Sequence, residues 1–146
     1  MKPAPKGWPR LSASAYYLDA QKAVDWLCKA FGFEVRLKVE GEGGLIEHCE
    51  LVCGDTVIMV GDERRQSAKG RTFFVSPKSV GGKNTQGMML YVDDAAAHCA
   101  RARAAGGEIT YEPTVSDYGE DYWADKSYQC VDLEGHAWWF CERVRG

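Results

Sequence analysis

The sequence lacks long hydrophobic runs and dense clusters of lysine and arginine. No apolar stretch approaches the ~20 residues of a membrane span, and the opening MKPAPKGWPR has no apolar stretch typical of a secretory signal. The 18 basic and 21 acidic residues give a formal net charge of −3. A mildly acidic chain of this kind is a poor partner for nucleic acid or an anionic membrane, so we expect neither.

Cysteine is present, but no Cys-x-x-Cys pair occurs, so a structural zinc site is not expected. The six cysteines are spread through apolar segments, which favours free, buried thiols in a reducing compartment over a disulfide framework. Cys49 and Cys53 are four residues apart on or near one strand, where thiol chemistry is conceivable. Nothing nearby would lower a thiol pKa, so inert thiols are the favoured interpretation.

An internal repeat is the most informative feature that is present. The 146 residues, 45% of them hydrophobic, suit one compact domain. Shifting the sequence by 74 residues places Tyr16–Val35 over Leu90–Ile109. The matches include the pairs Tyr17/Tyr91, Asp19/Asp93, Gly32/Gly106 and Glu34/Glu108. A repeat of this length predicts two structurally similar halves.

Each half is predicted to fold as strand, helix and three further strands. Asp19 and Asp93 are suited to cap the start of a helix, and Gly32 and Gly106 stand where a helix ends in a left-handed residue. The following strands are predicted at 34–40, 45–52 and 56–60 in the first half, and at 108–112, 127–131 and 137–141 in the second. The predicted organisation is one domain over 1–146, with module one at about 9–62, a polar linker at 62–84 and module two at about 85–142.

Four segments carry a resemblance to a known family: YYLDAQKAVDWLCKAFGFE, EHCELVCGDTVIMVG, MMLYVDDAAAHCARARAAGGEITYEP and DLEGHAWWF. Together they resemble the vicinal oxygen chelate superfamily of glyoxalases, bleomycin-resistance proteins and extradiol dioxygenases, over roughly residues 9–142, and look closest to the bleomycin-resistance-like branch. The resemblance implies an α+β fold of two βαβββ modules related by pseudo-twofold symmetry, each a curved mixed sheet with a helix on its outer face. It also implies a cytoplasmic homodimer.

The resemblance further implies four positions at which metal-using members hold an ion. These positions are Ser12 and Gln86 on the first strands, and Met59 and Trp139 on the last strands. None is a histidine or a carboxylate, whereas divalent ions need hard oxygen or imidazole donors. We therefore expect no metal and no other cofactor, and a divalent metal enters only under an enzymatic alternative with a displaced metal site.

Strand alternation predicts which side chains face the cavity that this fold implies. If Ser12 faces it, Ser14 and Tyr16 do too, and Gln86, Met88 and Leu90 follow on the matching strand. The expected ligand-binding residues are Ser12, Ser14, Tyr16, Met59, Gln86, Met88, Trp123 and Trp139. A lining of this kind favours a flat or apolar small molecule. The alternative is that these side chains fill the space as ordinary core.

Two further features leave the function open. His48 and Glu50 share one face of a strand and are candidates for a metal-free acid–base pair, although an ordinary polar pair explains them as well. The segment 120–127 is longer than in typical relatives and could cover a cationic aromatic ligand or form a subunit contact. The sequence thus favours a metal-free protein that binds an aromatic or amphipathic molecule. A glyoxalase-like lyase or isomerase, a dioxygenase, or an acid–base enzyme is the alternative.

Overall fold

The computed structural model describes residues 1–146. The first half contains β1 (Ser14–Tyr17), α1 (Ala20–Phe31), β2 (Glu34–Glu40), β3 (Ile46–Cys53) and β4 (Thr56–Asp62). The second half contains β5 (Met88–Tyr91), α3 (Ala95–Ala104), β6 (Glu108–Asp117), β7 (Ala124–Val131) and β8 (Ala137–Arg145). A short helix, α2 (Glu63–Ala68), lies between the halves, within the segment predicted as a linker. None of the helices is long and apolar enough to cross a membrane.

The two halves have the same sheet topology. The strand order is β1-β4-β3-β2 in the first sheet and β5-β8-β7-β6 in the second. In each sheet the first and last strands of the module pair in parallel, and the other neighbours are antiparallel. This arrangement confirms the predicted α+β fold of two βαβββ modules.

Both modules contribute to one hydrophobic core. Helix α1 places Ala23, Val24 and Leu27 against its own sheet, and α3 places Cys99 and Ala102 against the second sheet. The helices also contact each other, because the indole of Trp26 donates to the carbonyl of Ala105 at the end of α3. In addition, the ring of Phe31 on α1 lies 4.6 Å from that of Phe140 on β8. Each sheet therefore has a helix face, buried in the core, and an opposite face, which we call the open face.

The capping residue of the second helix was predicted at the wrong aspartate. Asp19 accepts from the amide of Lys22 and caps α1 as expected, but the cap of α3 is Asp94, which accepts from the amide of Ala97, and not Asp93. The two caps are 75 residues apart. Gly32 and Gly106, by contrast, are 74 apart and both have positive φ. Helix α1 has 12 residues and α3 has 10. The spacing between matching positions of the two modules therefore changes from 75 to 74 residues within the helix.

Half of the segment 120–127, which was predicted as a long loop, is strand. Strand β7 begins at Ala124 and not at residue 127, and β6 extends to Asp117. The backbone amide of Tyr118 donates to the carbonyl of Trp123, which closes a short turn between the two strands. The extra residues therefore lengthen a β-hairpin, and the prediction of a loop was wrong for residues 124–127, whereas residues 120–123 lie in the turn.

Candidate functional site

A cleft of about 1060 Å³ between the two modules could hold a ligand. Its walls are the start of β1, the start of β4, strand β5 and the connecting segment from Phe73 to Gly87. Its aromatic lining residues are Tyr16, Phe33, Phe73, Phe74 and Trp138. The volume lies slightly above the ~300–1,000 Å³ typical of ligand pockets.

Strand β1 supplies one wall by simple alternation of its side chains. Ala15 and Tyr17 are buried under α1, whereas Ser14 and Tyr16 turn to the other side and line the cleft. The ring of Tyr16 stacks on Phe74 from the connecting segment, with centroids 4.5 Å apart and an angle of 19° between the planes. This contact ties the connecting segment to β1 and closes one side of the cleft.

Ser12 also lines the cleft, just before β1 begins. Its hydroxyl oxygen is the one buried side-chain polar atom of the protein that has no hydrogen-bond partner. An unpaired buried hydroxyl costs about 1–3 kcal/mol. A polar ligand atom that reached it would remove this cost.

In module two, the pairing of β5 with β8 places Met88 and Trp139 differently from the prediction. Gln86 and Met88 line the cleft, with Gln86 exposed at its mouth. Met88 pairs with Trp138, however, whereas Met89 pairs with Trp139. Since side chains alternate along a strand, Met88 and Trp139 point to opposite faces of the sheet, and the prediction that they share one was wrong. The spacing of 75 residues between the helix caps, one more than the 74 between the glycines after the helices, explains this reversal.

Three predicted site residues lie outside the lining of the cleft. Met59 is on the open face of sheet one, in register with Ser14 and Glu50. Trp139 is on the open face of sheet two, where its ring lies 5.5 Å from that of Tyr111. Trp123 lies at the end of the β6–β7 hairpin, 5.1 Å from the guanidinium of Arg143. Trp123 was expected to contact a cationic ligand, but the guanidinium of Arg143 already lies over its ring.

His48 and Glu50 lie together on the open face of sheet one, outside the cleft. Nε2 of His48 is 3.4 Å from Oε2 of Glu50. Arg36 donates to Oε1 of Glu50 from Nε at 3.2 Å and from Nη2 at 2.9 Å. Burial acts to raise the pKa of Glu50, but the bonds from Arg36 and His48 outweigh it, so the pKa lies below its usual range. A carboxylate stabilised in this way is a weak general base.

The turn between β7 and β8 holds the cleft together, and sequence reasoning identified it only as a turn. Asp132 Oδ2 accepts from the hydroxyl of Tyr17 at 2.6 Å and from the indole of Trp138 at 3.1 Å. Glu134 accepts from the amide of Leu18 at 2.6 Å and from the hydroxyl of Ser76 at 2.7 Å. These bonds join module two to both β1 and the connecting segment, and so fix the walls of the cleft.

The four positions that the family resemblance implies for a metal carry poor metal ligands here. Ser12, Met59, Gln86 and Trp139 offer a hydroxyl, a thioether, an amide and an indole, and only the first and third line the cleft. A thioether suits soft metals only, and an indole N–H has no lone pair to give. No group of three or more His, Cys, Asp or Glu side chains is placed to hold a metal ion.

Comparison of the sequence with known proteins identifies relatives over nearly the whole chain. An uncharacterized protein of Mycobacterium bovis is 29% identical over 137 residues, which cover 94% of this chain and 85% of that protein. An uncharacterized protein of Mycobacterium tuberculosis strain H37Rv is also 29% identical over 137 residues, covering 94% of this chain and 76% of that protein.

Solved structures show the same fold. TioX from Micromonospora sp. ML1 has a TM-score of 0.68 and 29% identity, covering 93% of this chain and 100% of that one. TnmS3, an antibiotic binding protein from Streptomyces sp. CB03234, has a TM-score of 0.64 and 19% identity, covering 93% of this chain and 97% of that one. The family profile of the Glyoxalase/Bleomycin resistance protein/Dioxygenase superfamily matches residues 12–140. Because this match runs through both modules, the protein belongs to the Glyoxalase/Bleomycin resistance protein/Dioxygenase superfamily.

Proposed function

We propose that the protein binds a small aromatic or amphipathic molecule, without a metal, in the cleft between its modules. The cleft itself is the observation that carries the proposal: aromatic rings form its walls, and Ser12, Ser14 and Gln86 supply polar groups at its edges. Such a lining stabilises a flat ligand by stacking and by removal of apolar surface from water. The fold shared with TnmS3, described as an antibiotic binding protein, supports the same class of function.

The neutral fluorescent probe N-phenyl-1-naphthylamine tests this proposal, because its emission rises when it enters an apolar site. We expect saturable binding of one probe per chain. The substitution Gly87→Phe should abolish it, since Gly87 lines the cleft and has open space around the position of a side chain. Ser67→Phe is the matched control, because it adds the same ring to an exposed position of α2 outside the cleft. Absence of saturable binding, or equal binding by the two variants, would contradict the proposal.

A second measurement tests the metal-free part of the proposal. Dialysis against EDTA should leave probe affinity unchanged, since the side chains at the four family positions are poor ligands for divalent ions. For the same reason Ni²⁺, Zn²⁺ or Fe²⁺ should not raise the melting temperature. Saturable stabilisation by any of these ions would favour the alternative of a lyase, isomerase or dioxygenase with a displaced metal site.

The homodimer and the cytoplasmic location remain predictions from the family resemblance. The outer strand β2 exposes Val35, Leu37 and Val39, and burial of these side chains against a second copy would remove apolar surface from water. Light scattering of the wild type and of Leu37→Glu tests this arrangement. A monomeric wild type would contradict it.

A further inference from the structure

The lining of the cleft contains a positively charged side chain and no negatively charged one. None of its 24 lining residues is an aspartate or a glutamate, whereas Lys83 is among them. Lys83 takes part in no ion pair and its ammonium donates no hydrogen bond to the protein. A cleft with a free ammonium group and no carboxylate in its walls favours a negatively charged ligand over a positively charged one.

Two buried carboxylates close in sequence to His136 of the cleft lining are fully used by the protein. Oδ1 of Asp132 accepts from the amides of Glu134, Gly135 and His136, and Oδ2 accepts from Tyr17 and Trp138. Oε1 of Glu134 accepts from the backbone amide of Leu18 and the hydroxyl of Ser76, and Oε2 accepts from the backbone amide of Asp19. Both carboxylates are buried, with 6% and 7% exposure. Their negative charge is therefore offset by donors of the protein and offers no free acceptor to a ligand cation.

Uncharged polar side chains accompany Lys83 on the same rim. Thr85 and Gln86 line the cleft next to it, and neither side chain forms a hydrogen bond within the protein. Asn84 is held in place, because its amide donates to the carbonyl of Gly135 at 2.9 Å. The rim thus offers an ammonium group, a hydroxyl and an amide to a ligand oxygen, while Tyr16, Phe73 and Phe74 supply aromatic surface.

We infer that the ligand of the cleft is an aromatic anion, whose ring stacks within the cleft and whose acidic group meets Lys83 at the rim. This inference rests on the proposed function and names the chemical class of its ligand. It differs from the expectation of a cationic ligand, which depended on acidic residues of the segment 120–127. In the structure Asp125 of that segment is paired with Arg143 at 2.5 Å, and the segment lies outside the cleft lining.

Two probes with the same aromatic skeleton separate this inference from the proposed function. 1-Anilinonaphthalene-8-sulfonate carries a sulfonate, and N-phenyl-1-naphthylamine does not. We expect Lys83→Gln to weaken sulfonate binding about two- to fivefold, the effect of losing one exposed ion pair, and to leave the neutral probe unchanged. Lys78→Gln is the matched control, since Lys78 is exposed in the same connecting segment but does not line the cleft. Raising the salt concentration should reproduce the loss for the sulfonate alone.

The possible outcomes are distinct. If both probes bind in the cleft and Lys83→Gln affects them equally, or affects neither, the inference is overturned while the proposed function stands. If Gly87→Phe leaves sulfonate binding intact, the anion binds elsewhere and the inference is also overturned. If neither probe binds, the proposed function fails together with the inference.

Discussion

The ring of Tyr16 lies directly against the backbone of Gly61. A side-chain carbon placed at Gly61 would be 2.5 Å from Cε1 of Tyr16, closer than any real contact of this kind. The two residues are register partners on the parallel strands β1 and β4. The missing side chain at Gly61 therefore leaves room for the ring that stacks on Phe74 and closes the cleft.

We expect Gly61→Ala to destabilise the protein by about 1–3 kcal/mol, because the added methyl group must displace Tyr16 or the strand. The same variant should weaken binding of N-phenyl-1-naphthylamine. Urea unfolding measures the first effect and a fluorescence titration the second. Gly87→Ala is the control for the stability measurement, since nothing lies within 4 Å of its added carbon. If Tyr16→Ala/Gly61→Ala is no more stable than the sum of the single changes predicts, the clash is not the cause.

The fold could be predicted from the repeat, because helix ends and strand starts depend on local residues. The two halves start β2 and β6 at Glu34 and Glu108, as the spacing of 74 predicts. The adjacent aspartates Asp93 and Asp94, however, gave two possible caps for α3. The sequence alone cannot choose between them, because either side chain can accept from a first-turn amide.

The choice between Asp93 and Asp94 as the cap of α3 decided how much of the site could be predicted. Side chains alternate along a strand, so an error of one residue in β5 exchanges its two faces. Met88 and Trp139 were placed together for this reason, although Trp138 lines the cleft and Trp139 does not. The stacking of Phe74 on Tyr16 joins residues 58 positions apart and leaves no periodic pattern in the sequence. The free charge of Lys83 likewise becomes informative only when its neighbours in space are known.

The buried bond between Tyr17 and Asp132 is expected to stabilise the joint between the modules. Replacing Tyr17 by Phe removes the donor at 2.6 Å and leaves the charged acceptor with fewer partners, at a cost of about 1.5–3 kcal/mol. The coupling free energy from a double-mutant cycle with Asp132→Asn measures this contribution in chemical unfolding. Tyr122→Phe, which removes the hydroxyl of an exposed tyrosine, should change stability by less than about 0.5 kcal/mol. Independent effects of the two substitutions would argue against a direct bond.

Acid should weaken the contact between β3 and α2. Arg65 and Lys69 both donate to the carboxylate of Glu47 and lower its pKa to about 2. A carboxyl whose pKa is lower in the folded state stabilises that state above its unfolded pKa of about 4.3, and this contribution is lost as the pH falls towards 2. We therefore expect Glu47→Gln to melt below the wild type at pH 6, with a difference that shrinks between about pH 4.5 and 2.

The control for this measurement is Glu42→Gln, because Glu42 is exposed and has no basic partner. Its melting temperature should follow that of the wild type over the same range of pH. A difference between Glu47→Gln and the wild type that stays constant down to pH 2 would show that the charge of Glu47 is not responsible.

The six cysteines are free, and their surroundings predict that they react slowly in the folded protein. Burial is the main cause that raises the pKa of Cys49 to about 11 and that of Cys130 to about 12. Burial also raises the pKa of Cys28 and Cys53, which are only partly covered. Because the thiolate is the reactive form, an aromatic disulfide reagent at pH 8 should label these four thiols slowly in native protein.

Unfolding in guanidinium chloride should release all six thiols, since no disulfide is present. The order of labelling adds a sharper test. Cys53 is partly exposed and Cys130 is buried, so Cys53 should be labelled slowly but before Cys130 in the native protein. Cys53→Ser should therefore remove part of this slow native labelling, whereas Cys130→Ser should remove only thiol that appears on unfolding. Cys49 and Cys130 are buried in the hydrophobic core, where the reagent cannot reach them unless the core opens. Rapid, stoichiometric labelling of either thiol in the native protein would therefore mean that the core opens on the timescale of the reaction.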